Sequence, residues 1–185
     1  MTLFAAYLAL GAALLAIGAA LLSRAAPVLD ALGALPRSLL AAVVFFGGAT
    51  AWFIHGIYAL GEADLAGFPR IYLAGFFAVV AVLALFFLRD LLAVRGIAGV
   101  MLLAARALLD AGFTHLPHSF LLAATAYLLV VFGLLWGVAP RFFRDWLEWT
   151  LDSPRRTLAV GAAFAALGAA NTVAAFLSPD TSLPA

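Results

Sequence analysis

Residues 96–113 read GIAGVMLLAARALLDAGF. At 1.5 Å per residue this run is long enough to cross about 30 Å of hydrocarbon. It also holds two charges, Arg106 and Asp110. Whether it spans or re-enters decides whether the chain crosses a bilayer six times or five.

Five further runs have the same length without the charges: 3–22, 38–60, 71–88, 119–139 and 157–177. The connections between runs settle the count. Arg24 and Arg37 lie between the first two runs, Arg89 and Arg95 between the third and fourth, and Arg141, Arg144, Arg155 and Arg156 between the fifth and sixth. Six crossings gather these eight of the ten arginines on one side. Five crossings with a re-entrant segment scatter them. Basic residues of short loops stay in the cytoplasm, so both termini are expected outside, with Arg70, Glu62, Asp64, His115, His118 and Asp180 on their side. The expected fold is therefore all-α: a polytopic bundle of six transmembrane helices in three hairpins, forming one membrane domain over residues 1–185.

Composition agrees. The 185 residues are 67% hydrophobic and 10% charged, with a mean hydropathy of +1.17. A soluble domain carries about a quarter of its residues charged, so lipid must cover this chain. A formal net charge of +1 offers nothing to nucleic acid. The absence of cysteine excludes disulfides and thiolate chemistry. No basic residue precedes the first apolar run, as a signal peptide would need, so it reads as a retained span. The expected location is the inner or plasma membrane.

The even-numbered runs open alike: PRSLLA at 36–41, VRGIAG at 94–99 and PRRTLA at 154–159. Triplication of a helical hairpin is one reading. Generic boundary chemistry, with Pro in a first turn and Arg at a cytoplasmic end, is the other. Glycine and alanine recur in the first and last runs, GAA at 11–13 and 18–20 and again at 161–163 and 168–170. Small residues let helices approach closely in lipid. Residues 133–137, GLLWG, add a GxxxG match.

The third connector, RFFRDWLEWTLD at 141–152, is amphipathic. Arg141, Asp145, Glu148 and Asp152 recur on one face, with i,i+4 pairs Arg141–Asp145 and Arg144–Glu148. Phe142, Phe143, Trp146 and Trp149 on the other side are expected membrane-interface anchors of a cytoplasmic helix lying among the headgroups. A partner-binding helix is the rival reading. Residues 27–35 suggest a shorter element of the same kind. Trp52, Tyr58, Tyr72 and Trp136 suit an aromatic belt.

Few residues carry chemistry. Arg106 falls eleven residues into its run, near mid-bilayer, where a lone charge costs at least ~2.5–3.5 kcal/mol. It should face the bundle interior and pair with Asp110, one turn away. The pair reads either as a structural ion pair or as part of an ion, proton or anion route. His55, His115 and His118 are outer-side candidates for a metal or haem, but the first reading of HLPH at 115–118 is a solvated loop, and that of His55 a buried hydrogen bond to another helix. Asn171, with Thr50 and Thr172, is expected to bond to a neighbouring helix or to its own backbone. No GxSxG, HExxH or phosphate-binding loop is present. The best-supported expectation is a non-catalytic accessory or scaffold subunit of a membrane complex, with no cofactor, contacting lipid and other membrane subunits. The alternatives are a small solute or ion transporter, or channel, using Arg106 and Asp110, and a haem- or metal-binding redox protein using the histidines.

Overall fold

A computed structural model describes residues 1–178 other than Ala66, Arg89, Thr114 and Leu116. Arg89 and Asp180, used above to orient the chain, lie outside the described residues. Helix is the only regular secondary structure among the described residues, and six helices are long and apolar enough to cross a membrane. These are α1 (Leu3–Ser23), α3 (Leu39–Tyr58), α4 (Arg70–Phe87), α5 (Leu92–Gly112), α6 (Phe120–Val138) and α8 (Pro154–Leu177). Two short helices, α2 (Ala26–Ala34) and α7 (Arg141–Leu151), fill connectors.

Local chemistry sets the ends. Thr2 Oγ1 accepts from the Ala5 N–H at 3.2 Å and caps α1, and Ser38 does the same for the Ala41 N–H at the start of α3. Arg24 closes α1 in the left-handed region, φ 48°. Pro154 opens α8, where its missing N–H is harmless. Thr157 Oγ1 donates to the carbonyls of Thr150 at 2.9 Å and Ser153 at 3.1 Å, fastening the end of α7 to the start of α8. The disputed fourth segment is one unbroken helix of 21 residues. It begins at Leu92, four residues before the apolar run, because Leu92, Ala93 and Val94 are buried.

Contacts gather in two compact units. One is built from Met1–Gly33, Ala104–Val131 and the chain from Arg144 onward; the other from Ala34–Leu103 and Phe132–Phe143. In the first, α1 and α8 run antiparallel in close contact. A Cβ on Gly168 would lie 2.7 Å from the Leu15 amide nitrogen and 2.9 Å from the Gly11 carbonyl. A Cβ on Gly11 would overlap Thr172, and one on Gly18 would lie 2.7 Å from the Ala165 nitrogen. Backbone therefore touches backbone along the seam, which only glycine allows. Leu3, Tyr7, Leu10 and Leu14 of α1 continue this core onto Leu108 and Leu122.

In the second unit, α3 contains a π-helical segment, Ala42–Phe46. Gly96 of α5 sits against it so closely that a Cβ would overlap the Phe46 backbone. A local widening of the helix is the usual mark of such a segment. The small core here is Ala42, Ala84, Leu92 and Ala93. Helix α4 packs on α3 through Phe53 and Phe77, edge to face at 4.9 Å, and leaves most of its surface bare.

Candidate functional site

Arg106 and Asp110 are the only Arg, Asp, Glu or Lys residues between Ile97 and Gly112. They lie one turn apart on α5, so their side chains share a face. Arg106 Nε approaches Asp110 Oδ2 at 3.8 Å, an ion pair without hydrogen-bond geometry. The side chains are 72% and 73% exposed. The expectation that the pair would face the interior is thus overturned: it projects outward. Leu108, with Ala105 and Ala111, takes the inward positions instead, because a desolvated guanidinium needs more partners than those neighbours offer.

Its depth also differs from expectation. With α5 starting at Leu92, Arg106 is fourteen residues from the first residue and six from Gly112. At 1.5 Å per residue that is about 21 Å from one end and about 9 Å from the other. An extended arginine can carry its charge most of that remaining way. The mid-bilayer cost therefore falls, without vanishing.

The three histidines are divided between the two units. His55 is exposed on α3, in the second unit. His118 is exposed in the first unit, and its carbonyl accepts a hydrogen bond from Tyr7. His115 is half-buried. Among the described residues no group of three or more His, Asp or Glu side chains is placed to hold a metal ion.

Asn171 is fully buried on α8. Its Nδ2 donates to the Leu167 carbonyl at 2.9 Å and to Thr125 Oγ1 at 3.4 Å, linking α8 to α6. Its Oδ1 is buried and accepts no hydrogen bond from the described residues. Thr172 and Thr50 bond back to their own helices, to Gly168 and Phe46.

The amphipathic connector forms α7. Phe142 and Trp149 are exposed. Phe143 is buried with its ring 4.7 Å from that of Trp136, and Trp146 is half-buried. Two of the four expected anchors thus turn into the protein, since a face alternating every three to four residues cannot give all four to lipid. The ion pairing also shifts. Arg144 meets Asp145 at 2.8 Å and Glu148 at 3.6 Å, whereas the Arg141 guanidinium lies over the Phe142 ring. Hydrogen bonding to Asp145, and the charges of Asp145 and Glu148, raise the Arg144 pKa. Arg156 pairs with Asp152 at 3.6 Å and covers the Trp149 ring at 4.9 Å. The shallow depression lined by Asp145, Glu148, Trp149, Asp152 and Arg156 has each of its three carboxylates paired with Arg144 or Arg156.

Tyr7 escaped the sequence reading. It is buried in α1, its hydroxyl donates to the His118 carbonyl at 2.7 Å, and it accepts the Leu122 N–H at 3.3 Å. It thereby satisfies one of the free amides in the first turn of α6. The available signal was a lone phenol in an apolar span, which must find a partner.

Comparison with known protein families, with curated proteins and with solved structures finds no match.

Proposed function

We propose that this chain is a non-catalytic, multi-pass membrane protein that serves as an accessory or scaffold subunit of a larger membrane complex. The observation that carries the reading is the division of its polar groups. Four buried ones, Tyr7, Asn171, Thr125 and Thr157, hold helices together, and the charged pair of the spans faces away from that core. A transport route through the chain would want the reverse, with charge inward. The connectors between the six helices are short, and among the described residues none of them forms a soluble domain.

The same reading places both termini outside the cytoplasm of a cell's inner or plasma membrane, with three hairpins joined on the inner side. Eight arginines in the inner connectors support it, as does the antiparallel α1–α8 seam, which fits termini on one face. Helices α2 and α7 then lie at the inner headgroup layer, where a Cβ on Gly33 would lie 3.7 Å from the Leu151 side chain.

The test is chemical crosslinking in native membranes, followed by purification through a terminal tag. The expected result is recovery with larger membrane subunits. Recovery as a stable chain without any partner would count against the reading. So would loss of solute flux in a normally inserted Arg106→Ala variant, which would favour transport, or a Soret band or stoichiometric metal in purified protein.

A further inference from the structure

Arg106 and Asp110 leave most of their bonding capacity unused. A guanidinium has five N–H donors and a carboxylate about four acceptor positions. Between them they make one 3.8 Å approach and no hydrogen bond to any described residue. Phe113, three residues after Asp110 and just beyond the end of α5, is 81% exposed. Acyl chains cannot hydrogen-bond to either charge. A lipid phosphate would suit Arg106 but would be repelled by Asp110 beside it.

We propose that this face pairs with the same face of a second copy of the chain, Arg106 of each copy meeting Asp110 of the other. Copies of one membrane protein share an orientation, so a two-fold axis between them is parallel to the membrane normal and residues of equal depth oppose each other. The two α5 helices would then run parallel. Arg106 must reach four residues along its neighbour, about 6 Å. Facing charges in parallel coiled coils bridge a similar stagger. The face is its own electrostatic complement: one positive and one negative group meet their opposites twice. Each contact can become a charge-assisted, two-bonded arginine–carboxylate pair. The inference goes beyond the accessory role. It holds whatever other subunit is bound, and its failure leaves that role standing.

The chain has no cysteine, so Phe113→Cys introduces the only thiol. Oxidation of native membranes is expected to convert this variant to a disulfide-linked dimer, while Val173→Cys, also exposed on α8, stays monomeric. In the Phe113→Cys background, Arg106→Asp or Asp110→Arg alone sets like charges face to face and is expected to lower the dimer yield by at least about tenfold. Co-expressing the two charge variants with different tags should restore a mixed dimer. Neither chain then has its internal ion pair, so rescue reads the contact between copies and not the fold of either. Dimer formation at Phe113→Cys no greater than at Val173→Cys would overturn the proposal, as would a mixed pair that crosslinks no better than each variant alone. If the charge variants fail to insert, the contrast between Phe113→Cys and Val173→Cys decides by itself.

Discussion

Helices α1 and α8 are joined by backbone, and α3 and α4 by side chains. Along the first seam Gly11, Gly18, Gly161 and Gly168 bring the main chains into contact. Along the second, alanines of α4 (Ala74, Ala81 and Ala84) are buried, and one aromatic pair, Phe53 and Phe77, makes the close contact. Helix α1 buries eight of its 21 residues and α4 only three of its 18. Yet α4 is the more aromatic helix. Apolar bulk therefore does not determine which helix is enclosed. Lipid solvates phenylalanine as well as another helix does, so association energy comes from close packing and from polar groups that lipid cannot satisfy.

The contrast can be broken most directly at Gly168. Gly168→Leu must push apart two backbones, and the expected loss is at least ~3 kcal/mol, the upper end of overpacking costs. It should appear as failure to accumulate or a sharply lower apparent melting temperature in detergent. A parental melting temperature would show that the seam is not tight.

Tyr7→Phe comes next. It removes one donor and leaves the Leu122 amide without its acceptor, an expected loss of about 1–2 kcal/mol. Hydrogen exchange at the start of α6 should quicken with it. Unchanged exchange would remove Tyr7 from that role.

On the other side of the contrast, Phe77→Ala should cost about 1 kcal/mol, the scale of an aromatic pair, because lipid or detergent can fill the space. A loss as large as that at Gly168 would mean α4 is held as firmly as α8. Smallest of all is Gly75→Ala. A Cβ there meets nothing within 4 Å, so a change within ~0.5 kcal/mol, tending to stabilise the helix, is expected. Marked destabilisation, read as a lower melting temperature, would reveal a covered face at Gly75.

Much of this architecture was readable in advance. The spans follow from run length and composition, and their ends differ from the helices by at most four residues, the largest shift being at Leu92. Glycine repeats at 11, 18, 161 and 168 pointed to a tight contact. They could not name each other as partners, because repeats of that kind recur by chance in any Gly- and Ala-rich chain. The pairing of Arg106 with Asp110 followed from helical spacing alone. Its outward direction did not, since an apolar helix without a polar stripe looks alike from every side. Tyr7 was missed for a related reason: its partners are a carbonyl and an amide, which every residue possesses.

What the residues determined alone is the solvent: sixty-seven per cent apolar composition and six long runs leave hydrocarbon as the only medium that fits. What tertiary structure decided is which surface of each helix meets protein. In water, hydrophobicity encodes that choice along the chain. In lipid both surfaces are apolar, and only the fit of one backbone against another tells them apart.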